Sequence, residues 1–214
     1  MCKDANSYKC LSKFIKPEML GDIVGTGFNS VAIVLEEKWR VELNFNYILI
    51  VSLEKEKELF LKKMVGVKTR KINTRKVSKD IKECITFLKD ESFSVFYMEK
   101  LQEIPWEYFP IERIEHIEEF FRLINRKFSN IFCKYDLFWI LKEIKLIAKK
   151  HGGVDDFYRA IKKSLKAIQN SSIDSRFRFD LHMGQFMFNE KNELVCIDPV
   201  LFNYKNYSDY IRDL

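Results

Sequence analysis

The chain has 214 residues, of which 47% are hydrophobic and 32% charged, and its formal net charge is +6. This length predicts one compact domain or two small lobes, and the hydrophobic fraction excludes a globally disordered chain. The mild basic excess suits ATP, phosphorylated ligands, acidic proteins or nucleic acid, and does not select among them.

The first half of the chain reads mainly as short strands. Residues 19–53 alternate β-branched apolar runs with turn residues, which predicts several strands, and "EKEKELFLKKM" at 54–64 predicts a short helix with Phe60, Leu61 and Met64 on its apolar side. Residues 67–80 are polar and strongly basic, which is typical of a solvated loop. "IKECITFLKD" and "FSVFYMEKLQEI" return to strand-like runs.

The second half predicts three helices and a hairpin. Helical spacing covers roughly 111–128, 135–150 and 154–170, and "QFMF" and "ELVCID" form strand-like runs joined by the turn "NEKN". We therefore expect an α+β, two-lobed protein with a boundary near 101–105. The strand-rich lobe, with one helix, would span 1–104, and the helical lobe with the hairpin would span 105–214.

Cysteine, histidine and apolar patterns exclude several classes. The five cysteines are odd in number, widely spaced and without a C-x-x-C pair, which favours a reducing cytosol over a disulfide framework or zinc site. The three histidines are too scattered for a metal cluster. The N-terminus lacks the apolar core of a signal peptide, and no apolar run approaches about 20 residues. The sequence thus predicts a cytoplasmic protein, in the host cell if it is viral, without a membrane partner.

Two glycines in "VGTGFNSVAIVL" suggest a phosphate-binding turn. Gly25 and Gly27 lie between strand-like runs, and without a Cβ they let backbone amides approach a phosphate closely. A hairpin turn that needs positive φ is the plainer explanation. Because a strand follows, the pattern favours a glycine-rich hairpin over a nucleotide rather than a P-loop.

Two aspartates near the end of the sequence suggest phosphoryl transfer. Asp180 heads "DLHMGQ", and Asp198 ends a strand in "IDP". Phosphoryl transfer needs one carboxylate to position the acceptor hydroxyl and another to hold Mg²⁺ against the phosphates. A hairpin between them would bring both carboxylates to one end of the same small sheet. Two surface aspartates at turns are the plainer alternative.

The order of glycine hairpin, helix, hinge strand, helices, "D-x-H-x-x-Q" and "I-D" resembles the protein-kinase-like superfamily. The resemblance is closest to small serine/threonine kinase-like proteins of bacteriophages, covers about residues 20–200 and is most specific at 180–199. It implies a two-lobed, protein-kinase-like fold with a minimal C-terminal lobe, and ATP and Mg²⁺ as cofactors. It assigns catalysis to Asp180 and His182, metal binding to Gln185 and Asp198, the phosphate-covering loop to Gly25, Gly27 and Ser30, and the adenine-binding hinge to Glu99 and Leu101.

The sequence departs from the family pattern at three positions. Gln185 stands where the family has a metal-binding asparagine, and Arg178 where many kinases have a histidine. Ile50 occupies the position of the lysine that neutralises the phosphates, a strong charge-assisted contact. The residues considered as substitutes or as their helix partners are Arg40, Lys55, Glu56 and Glu58.

These observations leave more than one function open. An ATP/Mg²⁺-dependent serine/threonine kinase acting on a host protein comes first. A pseudokinase that inhibits a host protein by binding it comes second, and a small-molecule phosphotransferase third. Nucleic acid is disfavoured as a partner, because the basic stretch 67–80 has no interleaved aromatic residues for base stacking. The sequence does not predict an oligomeric state.

Overall fold

The computed structural model describes residues 21–26, 30–35, 47–72, 79–90 and 93–202. It divides into two compact units: the first comprises the chain up to Glu58 with Lys68–Lys100, and the second Leu59–Val67 with the chain from Leu101 onward. Helices and antiparallel sheets occur together, which confirms the α+β class. The predicted boundary between residues 104 and 105 would place Leu59–Val67 in the strand-rich lobe, whereas this segment belongs to the second unit.

The first unit is built on a five-stranded antiparallel sheet. In order across the sheet, its strands are β1 (Gly21–Thr26), β2 (Ser30–Leu35), β3 (Tyr47–Ser52), β5 (Ser94–Glu99) and β4 (Thr69–Arg70). Alternate residues of the long central strands, such as Leu49 and Val51 in β3 and Val95 and Tyr97 in β5, face one hydrophobic cluster. The remaining residues of β5 are buried too, which explains why this strand reads as continuously apolar.

Two helices accompany this sheet in the sequence. Helix α1 (Lys55–Leu61) follows β3 and confirms the predicted short helix, with Phe60, Leu61 and Met64 all buried. Helix α2 (Lys79–Asp90) lies where the sequence predicted a strand over "IKECITFLKD", and that prediction is wrong. The physical reason is periodicity: Cys84, Ile85 and Leu88 recur at helical spacing and pack against the sheet cluster.

Part of the basic stretch 67–80 pairs with the sheet rather than forming a solvated loop. Thr69 and Arg70 form an edge strand against β5, and Ile72 is buried in the sheet cluster. The Arg70 guanidinium lies 4.6 Å from the centroid of the Tyr47 ring. For residues 67–72 the predicted solvated loop is therefore wrong, because strand pairing and burial of one isoleucine fix the backbone. Residues 73–78 lie outside the described residues.

The second unit contains the three predicted helices, which are confirmed. They are α3 (Ile111–Lys127), α4 (Leu137–His151) and α5 (Asp155–Gln169). In α4 the buried residues Leu137, Ile140, Ile144 and Ala148 form one stripe. Helix α4 ends just before Gly152, which adopts φ +74° and whose N–H donates to Ala148 O at 2.9 Å. Among the described helices, none is long and apolar enough to cross a membrane.

Two small antiparallel sheets complete the second unit. One contains β6 (Gln102–Glu103), β8 (Phe186–Phe188) and β9 (Leu194–Cys196), and the other pairs β7 (Phe177–Phe179) with β10 (Val200–Phe202). The β8–β9 hairpin is the predicted one. Buried Asn189 holds its turn by accepting the N–H groups of Lys191 and Glu193, each at 2.9 Å, and by donating to Gly66 O at 2.9 Å.

Candidate functional site

Asp180 and Asp198 flank the β7–β10 pair at the same end. Phe179, the last residue of β7, is paired with Val200, the first residue of β10. Asp180 follows β7 directly and Asp198 precedes β10 by two residues, so antiparallel pairing brings their backbones together. The Asp180 N–H donates to Pro199 O at 3.3 Å. Both side chains are half-buried.

The loop that follows Asp180 is held by two amide side chains. Asn125 of α3 donates to Leu181 O at 2.8 Å and accepts the Leu181 N–H at 2.9 Å. Buried Gln185 donates to Asp180 O and accepts the His182 N–H at 3.3 Å. These bonds fix the backbone on the C-terminal side of the Asp180 Cα, and the bond from the Asp180 N–H to Pro199 O fixes the N-terminal side, so the loop is preorganised around one carboxylate. The His182 side chain is exposed.

The Asp180 carboxylate has no hydrogen-bond or ion-pair partner among the residues that the structure describes. Its contacts in the described chain are made by its backbone N–H and C=O. A half-buried carboxylate held on a braced loop, with its oxygens unused by the described part of the chain, is suited to accept a hydrogen bond or a proton from a ligand.

The side chains near this end of the sheet fit a divalent cation only in part. Asp180 and Asp198 offer carboxylate oxygens, the donors that Mg²⁺ prefers, and Mg²⁺ is commonly held by one or two carboxylates together with substrate phosphates and water. The predicted third ligand, Gln185, uses its amide oxygen to accept the His182 N–H. Within the described ranges, no group of three or more His, Cys, Asp or Glu is arranged around a metal position.

Cys196, the last residue of β9, lies two residues before Asp198. Its thiol is fully buried, and burial raises the pKa of Cys196 far above the ordinary thiol value, while the nearby Asp198 charge acts in the same direction. The Ser164 hydroxyl of α5 lies 2.5 Å from Cys196 O and 3.1 Å from Ala160 O. The strand that leads to Asp198 is therefore tied to α5.

In the first unit, Ser30 belongs to a buried polar cluster. The Ser30 and Ser52 hydroxyl oxygens lie 3.0 Å apart, and the buried Lys57 ammonium donates to Ser30 Oγ at 3.1 Å. The Glu54 N–H donates to Ser52 Oγ at 3.1 Å. Ser30 is the first residue of β2, so this cluster places a lysine at the end of the β1–β2 pair where Thr26 lies opposite Val31.

Of the two glycines predicted to form the phosphate-binding turn, Gly25 lies within the described residues. Gly25 lies inside β1 opposite Ala32, beside a register shift, and a Cβ there would meet the Ala32 Cβ at an ordinary 3.6 Å. Gly25 therefore does not require the positive φ of a turn residue. Gly27 lies outside the described residues, as does Arg40.

The position predicted for the phosphate-binding lysine is apolar and enclosed. Ile50 is buried in the middle of β3, opposite Ala32 and Phe96. Lys55, a candidate substitute, is exposed. Of the two candidate helix partners, Glu58 accepts the Ser94 hydroxyl at 2.7 Å and Glu56 is half-buried. Among the described residues of this unit, the buried lysine is Lys57, which sequence reasoning missed.

The side chains of the two predicted hinge residues, Glu99 and Leu101, are buried inside the protein. The Glu99 carboxylate is buried and accepts the Lys68 N–H at 2.8 Å, and the Glu99 N–H donates to Lys68 O at 2.9 Å. Leu101 is buried in the second unit. Arg178 is half-buried in β7, opposite Leu201. The backbone N–H of Glu99 is thus already bonded within the first unit.

Comparison with known proteins gives no relative: the chain matches no family model, and no curated protein and no solved structure is significantly similar to it.

Proposed function

We propose that this protein transfers the γ-phosphoryl group of ATP to a serine or threonine hydroxyl of another protein. The observation that carries the proposal is the β7–β10 pairing, which brings Asp180 and Asp198 to one end of the same pair of strands. This is the arrangement in which one carboxylate can meet an acceptor hydroxyl while a second holds a cation against the phosphates. The resemblance at 180–199 points to the same chemistry.

In this mechanism the Asp180 carboxylate orients the acceptor hydroxyl and accepts its proton. The hydroxyl oxygen forms a bond to the γ-phosphorus, the bond to the β,γ-bridging oxygen breaks, and ADP leaves. Bound Mg²⁺ supplies neutralisation of phosphate charge, and Asp198 would hold it. Asn125 and Gln185 hold the backbone next to Asp180, so that the carboxylate is already positioned before the reaction begins.

A second function, capture of a partner protein without phosphoryl transfer, is favoured by two observations. Ile50 offers no charge at the predicted lysine position, and the Gln185 amide oxygen is already hydrogen-bonded to the protein. Loss of a charge-assisted phosphate contact or of a metal ligand lowers the rate strongly without abolishing nucleotide binding. In that case neither aspartate would be required for function.

Phosphoryl transfer is tested by incubation with ATP labelled at the γ-phosphate, Mg²⁺ and a generic protein substrate. Asp180→Asn keeps the shape of the side chain but removes the base, and we expect label incorporation to fall by about a hundredfold or more. Asp198→Ala should lose incorporation as well. The matched control is Asp174→Ala, at an exposed aspartate just before β7, which should behave as the wild type.

The outcomes separate the two functions. Equal incorporation by the wild type and Asp180→Asn would remove Asp180 from the mechanism. If the wild type incorporates no label, thermal unfolding with and without ATP and Mg²⁺ decides what remains, because a ligand that binds only the folded state raises the melting temperature. An unchanged melting temperature would overturn nucleotide binding altogether.

A further inference from the structure

Helix α4 presents an exposed face on which aromatic, aliphatic and lysine side chains follow one another. Apart from the adjacent pair Lys145 and Leu146, successive members of this α4 face are three or four residues apart, so they lie on one side of the helix and of the turn before it. They are Tyr135, Phe138, Lys142, Lys145, Leu146 and Lys149. Tyr135 is 75% exposed, Phe138 64% and Leu146 58%. Apolar side chains this exposed, and this close along one helix, mark an interaction surface.

The α4 face carries positive charge without carboxylates. The two acidic residues of this segment are engaged elsewhere: Asp136 accepts the Cys133 N–H at 2.8 Å, and Glu143 pairs with Lys127 at 2.5 Å. Among the described residues, no carboxylate forms an ion pair with the three lysines of the face. The Lys142 ammonium lies 4.3 Å from the centroid of the Phe138 ring, so the charge sits directly beside the apolar group.

These features restrict the partner. A second copy of the chain is disfavoured, since two-fold pairing of the face would set lysines against lysines. Stacked bases are disfavoured because Lys142 covers one side of the Phe138 ring, Lys134 lies over Tyr135, and Leu146 has no π-face. A peptide that binds as a helix or strand needs a groove or a sheet edge, and here the side chains project from a helix.

We propose that the α4 face docks on the surface of an anionic lipid bilayer. The lysines would contact lipid phosphates and carboxylates, and Phe138 and Leu146, about 12 Å apart along the helix, would enter the boundary between headgroups and acyl chains. The helix would lie parallel to the bilayer surface without crossing it. This inference does not depend on phosphoryl transfer.

The test is sedimentation of the full chain with vesicles of phosphatidylcholine alone or of phosphatidylcholine with phosphatidylserine. We expect binding to the mixed vesicles, weakened by salt. Lys142→Gln with Lys145→Gln should lower the partition coefficient by about 25-fold, at about fivefold per lysine. Phe138→Ser, which leaves both lysines in place, should lower it on the order of tenfold.

The matched control is Phe87→Ser with Lys82→Gln on α2, an exposed aromatic and lysine that lie beside Glu83 on another helix. This variant should bind vesicles as the wild type does. Thermal unfolding of each variant confirms that these exposed substitutions leave the fold intact. The inference is overturned if the wild type does not sediment with mixed vesicles. It is equally overturned if α4-face and control variants lose binding alike, or if a single-stranded oligonucleotide binds the α4 face while vesicles do not.

Discussion

The buried thiol of Cys196 makes the free energy of unfolding depend on pH. Its thiol is fully buried beside Asp198, and burial raises the pKa of Cys196 above that of a thiol in the unfolded chain. A group whose pKa is raised by folding contributes stability that is present below its unfolded pKa, about 8.5 for a thiol, and lost as the pH rises above it. The folded state should therefore weaken in mildly alkaline solution.

We expect the free energy of unfolding to fall by about 1 kcal/mol per pH unit above about pH 8.5 through this thiol, and Cys196→Ala to remove that slope. Urea unfolding of both proteins at several pH values measures it. Val195→Ala, which truncates the buried neighbour without removing a thiol, should keep the wild-type slope. Identical slopes for the wild type and Cys196→Ala would contradict this account.

At the level of single elements, α3 reaches the Asp180 loop through Asn125. Replacing Asn125 by leucine removes both hydrogen bonds to Leu181 and leaves its backbone groups without their partner. We expect the Leu181 amide to exchange its hydrogen about tenfold faster, measured by hydrogen–deuterium exchange, while amides of β3 and β5 keep their rates. Asn170→Leu, at an exposed asparagine that ends α5, is the control. Unchanged exchange at Leu181 would show that β10 alone fixes the loop.

Local periodicity made most elements predictable from the sequence. The stripes of α3, α4 and α5 and the turn between β8 and β9 are encoded within short windows, and each was found close to its observed bounds. The same signal was present but misread in α2, and it also marks Lys57, which shares helical spacing with Phe60, Leu61 and Met64. The position of Lys57 on the apolar face of α1 therefore predicts that folding buries this side chain.

The non-local contacts of the candidate site carried no such signal. The β7–β10 pairing joins Phe179 to Val200 across the intervening hairpin. The sequence of a three-residue strand is too short to indicate which other strand it pairs with. The bonds of Asn125 to Leu181 join positions 56 residues apart in the chain. The sequence therefore supplied the two aspartates as candidates, but not the side chains that hold them.

At the scale of the whole molecule, the chain passes from one unit to the other three times. Leu59–Val67 belongs to the second unit although it lies in the strand-rich half of the sequence, and it contributes the buried side chains of Phe60, Leu61 and Met64. Asn189 donates to Gly66 O in the same segment. The second unit is thus incomplete without nine residues that lie between the two stretches of the first.

A fragment of residues 101–214 should therefore unfold at a lower temperature, and less cooperatively, than the same fragment supplied with a peptide of residues 59–67. The apolar surface left open by Phe60 and Leu61 is the reason, since each buried side chain of this size contributes about 1.5–3 kcal/mol. Circular dichroism during heating measures the difference, with a peptide of scrambled order as the control. Equal melting curves with either peptide would contradict the assignment of this segment.

The late position of β10 also has a consequence for synthesis. A ribosome that has just released Asp198 into solution has made every helix described in the second unit, yet the partner of β7 is still in the exit tunnel. The carbonyl of Pro199 that receives the Asp180 amide arrives one residue later, and the strand that holds it there follows. A nascent chain, or one clipped by a protease before Val200, would carry both aspartates without the geometry that joins them.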